Sequence, residues 1–201
     1  MSMRGVKDML LVGGHVVLDF INTVDIRNGG FGPDYLTDYT DLLTFSERTG
    51  LLGQSIVMDL ERRALRSLGS AQRALSDAIV FREVLYRICR SEVSGEAVST
   101  EDVKMLDEKV RDAANRRIVT FRSGAIGLSW SDPPEFNAVV DRLAVQALGL
   151  LTTRDERRLI RECPGRNCGW LFLDTSKGGR RRWCCDRTCG THARVAKFRA
   201  R

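Results

Sequence analysis

The chain has 201 residues, 43% of them apolar, and a formal net charge of +6. That length suits one large domain, or a medium domain joined to a small module. No apolar run approaches the ~20 residues of a membrane span. The N-terminal apolar run is broken by Gly13, Gly14 and His15 and makes a poor signal peptide, so the expectation is a cytoplasmic protein with no membrane partner.

The charge is unevenly placed. Residues 161–201 hold eleven Lys or Arg against three acids, a net +8, whereas the other 160 residues hold 21 basic and 23 acidic groups. The basic character therefore belongs to the tail. Such asymmetry points to a polyanion-binding module on a body with another task.

In residues 10–24, Val16, Val17, Phe20, Ile21 and Val24 recur at helical spacing, with Asp19, Asn22 and Thr23 among them. "NGGFGPDY" (28–35) reads as a loop. A helix follows with Leu36, Tyr39, Leu42, Leu43 and Phe45 inward, and Gly50 ends it. Residues 55–68 and 70–92 predict two more helices, the second closed by Ser94-Gly95. Cys89 on that helix reads as a small buried hydrophobe. Ser99 and Thr100 can cap the next helix, with Asp102 spaced to complete a capping box with Ser99. "RRIVTFR" and "AIGLSW", joined by Ser123-Gly124, predict a hairpin. Pro133 and Pro134 precede a last body helix carrying Phe136, Val139, Val140, Leu143 and Leu148.

The expected fold class is mainly α. A helical N-terminal domain (1–155) carries one small β-hairpin, and a C-terminal zinc-binding β-hairpin–helix module follows (156–201). No phosphate loop, nucleophile elbow or HExxH stands in the body. Asp19, Asn22 and Arg27 could line a ligand pocket, or simply cap helices and bond across the body.

Five of the six cysteines fall between Cys163 and Cys189. Cys163-x4-Cys168, then fifteen residues, then Cys184-x4-Cys189 is the layout of a four-cysteine zinc site. A module of this size builds little core, so one structural Zn²⁺ per chain would hold it together. Adjacent side chains in extended chain point apart, so Cys184 and Cys185 cannot easily share one ion. Cys184, which keeps both spacings equal, is the expected ligand and Cys185 the bystander. His192, three residues beyond Cys189, is a rival ligand, and an iron–sulfur cluster is an alternative cofactor.

Trp170–Leu173 reads as a strand over the metal. Lys177-Gly178-Gly179 turns the chain, and Arg180–Trp183 returns as the second strand. Beyond Thr188 the pattern is helical. Thr191, Val195 and Phe198 form an expected packing stripe, while Arg187, Arg194, Lys197 and Arg201 lie on another face. Arg180, Arg181 and Arg182 add a second basic patch. Some arginines would neutralise the thiolates, and others would face phosphate. About five phosphate contacts give a log–log salt slope of about −4 to −5.

"CGWLFLDTSKGGRRRWC", followed by a further Cys-Gly, resembles the CGNR zinc finger family. "LDFINT" (18–23) and "YTDLLTFSERTGLL" (39–52) resemble the ABATE domain that accompanies this finger in bacterial proteins. The resemblance implies zinc ligands at Cys163, Cys168, Cys184 and Cys189, with Cys185 where the family has another residue. It also implies a stress-induced transcription regulator with DNA as partner. The chain departs from the family name itself, with Thr191-His192 in place of Asn-Arg, which removes a contact arginine but no zinc ligand.

The leading expectation is thus a DNA-binding regulator. Its finger would contact DNA through Arg180, Arg181, Arg182, Arg187, Arg194, Lys197 and Arg201. Its body would sense a small-molecule effector or form a homodimer. The alternatives are a zinc-stabilised RNA-binding or protein-interaction module, and an enzyme with its pocket near Asp19 and Asn22.

Overall fold

The computed structural model describes residues 5–30, 32–122 and 124–200. Arg201 and the Ser123 joint lie outside the described residues. In chain order the elements are α1 (Val16–Ile21), α2 (Tyr39–Arg48), α3 (Gln54–Arg66), α4 (Leu68–Ser94), α5 (Thr100–Asn115), β1 (Arg117–Arg122), β2 (Ala125–Trp130), α6 (Ala138–Thr152), β3 (Ile160–Glu162), β4 (Leu171–Leu173) and α7 (Thr191–Arg199). The fold is mainly α with two antiparallel hairpins, β1–β2 and β3–β4.

Local chemistry sets most boundaries. Asp38 and Asp41 form a reciprocal capping box at the start of α2. Gly50 lies just past its end with φ +72, and Gly95 closes α4 with φ +74, the left-handed geometry a helix stop uses. Ser99 Oγ accepts from Asp102 N at 3.1 Å, capping α5. The Asp102 carboxylate does not return to the Ser99 amide to complete the expected box. It grips Arg87 on α4 at 2.5 and 2.9 Å instead, because a guanidinium is the stronger partner.

The helix expected within 10–24 is shorter, six residues at the centre of the molecule. Val17, Leu18, Phe20 and Ile21 are all fully buried, so α1 is enclosed on nearly every side, with Asp19 its one charged residue. It packs on α4 and α6 on one side and on β4 on another. His15 Nδ1 accepts from Val17 N at its start. Asn22 caps its end, and Thr23 Oγ1 donates to Phe20 O at 2.8 Å.

One buried cluster joins body and tail. Phe20, Phe45, Phe81 and Leu143 share it with Ile160, Leu171, Phe172 and three of the tail cysteines. Burying Leu171 and Phe172 fully contributes about 3–6 kcal/mol, enough to hold the tail against α1. Arg82 on α4 is buried as well. It forks onto Asp34 at 2.7 and 2.8 Å and reaches Thr23 Oγ1, tying the 28–35 loop to the body.

Two expectations about the tail are corrected. The strand at Leu171–Leu173 pairs with Ile160–Glu162, not with Arg180–Trp183. The returning segment is held irregular by the Asp174 carboxylate, which accepts from Ser176 N, Ser176 Oγ and Arg181 N. The packing stripe expected on α7 is absent, since no residue of α7 is buried. Val195 is 42% exposed and Phe198 80%; α7 turns His192, Ala193 and Ala196 toward the 164–167 loop and leaves these two apolar side chains in solvent.

Candidate metal centre and basic surface

The β3–β4 hairpin builds the first half of the site. Cys163 directly follows β3, and its amide donates to Trp170 O at 2.9 Å, extending the ladder by one rung. The loop between them is tight. Cys168 N donates to Gly165 O at 3.1 Å, Asn167 takes φ 61 and Gly169 φ +72. A Cβ on Gly165 would stand 3.0 Å from Cys189 Sγ, a tight contact that would push the facing sulfur by a few tenths of an ångström. The second half comes from Cys184, after Trp183, and Cys189, in the wide helical turn Asp186–Gly190.

The Sγ atoms of Cys163, Cys168, Cys184 and Cys189 all lie within 4.8 Å of one another. Cys168–Cys184 is 3.5 Å and Cys184–Cys189 is 3.6 Å. Those distances are too long for a disulfide bond of about 2.05 Å. Zn–S bonds of about 2.3 Å set tetrahedron edges of about 3.8 Å, which these sulfurs match. Four thiolates with no open position fit one structural zinc. Cys185 stays outside the sulfur group, half-buried. His192 is exposed on α7 and also outside it. Cys89, buried in α4, has its thiol pushed up to about 12 by burial and is inert.

The metal knuckle is fastened to the body by backbone and side-chain bonds. Arg27 N and Asn28 N both donate to Cys168 O, at 2.7 and 3.2 Å. Trp170 Nε1 donates to Val24 O at 2.8 Å. Leu173 N donates to Gly13 O at 2.8 Å. Asn22 Nδ2 donates to Leu171 O at 2.8 Å, and Leu171 N donates back to Asn22 Oδ1 at 3.0 Å. A side-chain amide thus does for β4 what a neighbouring strand would do.

Glu92 at the end of α4 makes a further tie. It accepts from both terminal nitrogens of Arg157, at 3.0 and 2.8 Å, and from Ile160 N at 2.7 Å. Burial opposes ionisation of Glu92, but Arg157 and the Ile160 amide prevail and hold its pKa below the usual range. Capping by Asn22 is one of its two expected roles, whereas its pairing with Leu171 and the roles of Glu92 and Arg157 lie beyond what the local sequence shows. An asparagine between Ile21 and Val24 is the one available signal.

The three residues expected to line a pocket all make internal bonds. Asp19 Oδ1 accepts from Gly13 N at 2.7 Å. Burial pushes its carboxyl up to about 6, while the Gly13 and Val12 amides and the Arg181 and Arg48 cations pull the other way. Asn22 is committed to Leu171. Arg27 bonds Glu83 at 2.5 Å and Ile21 O at 2.6 Å, and its guanidinium lies 4.3 Å from the Tyr86 ring centre. An open cleft of about 670 Å³ lies on the seam beside the metal centre itself, lined by Met9, Ile26 and Tyr35 of the body and by Cys168, Cys184, Cys185, Cys189 and His192 of the tail.

The tail cations divide into two groups. Arg181 is used internally. It donates to Val12 O at 2.6 Å, Trp183 O at 3.0 Å and Cys184 O, and stacks 4.4 Å from the Phe172 ring centre. Arg161 leans on Asp174, and Arg194 forks onto Asp186 at 2.9 and 3.1 Å. Arg180, Arg182, Arg187 and Lys197 are solvent-accessible and pair with no carboxylate among the described residues. Arg166, Lys177 and Arg199 share that condition.

A helical body sharing its core with a four-sulfur, arginine-rich tail module defines a zinc-finger protein in which finger and body are packed together. Comparison with protein families places it more closely. A model described as "Putative stress-induced transcription regulator", the ABATE family, matches residues 14–154, and one described as "CGNR zinc finger" matches residues 159–201. The ABATE match spans well over half of the chain, and the chain belongs to that family, with the CGNR finger following it. No curated protein matches the chain.

Proposed function

We propose that the chain is a DNA-binding transcription regulator, with residues 156–201 as the contacting finger and residues 1–155 as a sensing or association body. The observation that carries this reading is the set Arg180, Arg182, Arg187 and Lys197, solvent-accessible and without a carboxylate partner among the described residues, on a module that zinc makes rigid. Cations held in place and left without carboxylates are ready to displace counterions from a phosphate backbone. Four such contacts predict a log–log salt slope of about −3 to −4. Arg194 is a weaker contributor because Asp186 already neutralises it. An effector would bind at the seam cleft beside Cys185 and His192, where occupancy would bear on both finger and body.

The test is fluorescence anisotropy with duplex DNA, single-stranded RNA and zinc-stripped protein across a range of salt. Zinc-dependent duplex binding with the stated slope supports the reading. Preference for single-stranded RNA, or no binding at low salt, transfers support to an RNA-binding or protein-interaction module.

A further inference from the structure

The β1–β2 hairpin leaves one face uncovered. Its register sets Val119 opposite Leu128 and Phe121 opposite Ile126, so these four side chains share a face. Their exposures are 71, 62, 72 and 78%. Thr120 and Ser129 occupy the other face, 3.2 Å apart, with Ile118 half-exposed beside them. Between Arg117 and Arg122 no charged residue interrupts either strand.

Charges in the strand are the usual protection of such a hairpin, and their absence here is informative. A two-stranded hairpin in water is marginal unless one face is packed. The base of this one is closed by Ser131 N donating to Arg116 O and tied to α6 through Trp130, on which the Arg142 guanidinium stacks beside that of Arg117. Its apolar face is left to find cover elsewhere.

We propose that this face is the homodimer interface, covered by the same face of a second copy across a two-fold axis. A face built from two directly opposed apolar pairs is self-complementary, as an isologous contact requires. The four side chains expose on the order of 500 Å² per copy, at the upper end of what a monomer shows. Two copies would bury on the order of 1,000 Å², the lower bound of a specific interface. A second copy supplies the matching apolar face with no further requirement. The dimer is therefore weak, in the micromolar range, and depends on concentration. It would also present two fingers to one DNA duplex, although its existence does not depend on DNA binding.

Sedimentation velocity without DNA, from about 1 to about 100 µM, tests this directly. The natural chain is expected to pass from monomer to dimer across that range. Phe121→Glu/Ile126→Lys, which keeps a cross-strand pair but removes the apolar face, is expected to stay monomeric with an unchanged circular dichroism spectrum. Val119→Thr/Leu128→Thr retains strand-forming residues and is expected to weaken the dimer at least tenfold, a second reading should the charged variant fold poorly. Thr120→Glu, on the opposite face, should leave the dimer intact. A natural chain monomeric throughout would overturn the proposal. So would a Thr/Thr variant that dimerises as before, or loss of the dimer in Thr120→Glu.

Discussion

The Asn22 side chain pairs with both backbone groups of Leu171, one at 2.8 Å and the other at 3.0 Å, across 149 residues of sequence. Asn22 is fully buried, and so is Leu171. The pair fixes the edge of the zinc-bearing hairpin against the end of α1. Replacing Asn22 by Ala leaves a buried N–H and a buried C=O without partners, at about 1–3 kcal/mol each. Asn22→Ala is expected to lose about 2–6 kcal/mol in urea unfolding. Asn22→Asp keeps the acceptor and loses the donor, and should be no more stable.

Zinc should stabilise the whole chain, because Cys163, Cys168 and Cys184 sit in the common core. Chelation is expected to lower the melting temperature of the helical signal, in one transition that includes the body. Cys184→Ser is expected to release the metal, while Cys185→Ser retains one zinc per chain by mass spectrometry. The reverse pattern would overturn the ligand assignment.

Asp19 gives a pH dependence with a definite sign. Its folded-state pKa of about 6 lies above its ordinary value, so between the two the native chain holds a proton that the unfolded chain has released. Its contribution to stability is present at low pH and lost as pH rises through about 6. An asparagine side chain at this position would keep an acceptor for Gly13 N without a buried charge. The stability of Asp19→Asn relative to the natural chain should rise from near zero at about pH 4 to about 2–3 kcal/mol above pH 6. Paired urea titrations at several pH values measure it, and a difference independent of pH would contradict the burial argument.

The features legible in the sequence are local. Gly50, Gly95, the Ser99 cap and the alternating β1 and β2 runs act within a few residues, and the elements end where they direct. The cysteine spacing is legible for the same reason, since each knuckle is closed by a short loop. What escapes depends on partners far away in sequence. The six-residue α1 owes its all-round burial to a strand near residue 171. The strand pairing departs from expectation because β3 lies before the first cysteine, where only Ile160–Glu162 could signal it. Glu92 and Arg157 look like ordinary surface charges until α4 and β3 meet. The helical spacing of Val195 and Phe198 is real, but periodicity shows only that a face exists, and nothing packs against that one among the described residues.

In the proposed DNA contact the exposed cations of a zinc-held finger would meet phosphate, while Arg181 bonds Val12 O of the body. The most direct measurement is the salt slope of duplex DNA binding for three zinc-loaded chains. The natural chain should show about −3 to −4, and the fourfold Gln variant at Arg180, Arg182, Arg187 and Lys197 should lose most of that slope, Arg166, Lys177 and Arg199 remaining, with its melting temperature nearly unchanged. Arg181→Lys should melt lower and keep the natural slope. An unchanged slope in the fourfold variant, or a slope lost in Arg181→Lys alone, would contradict the account.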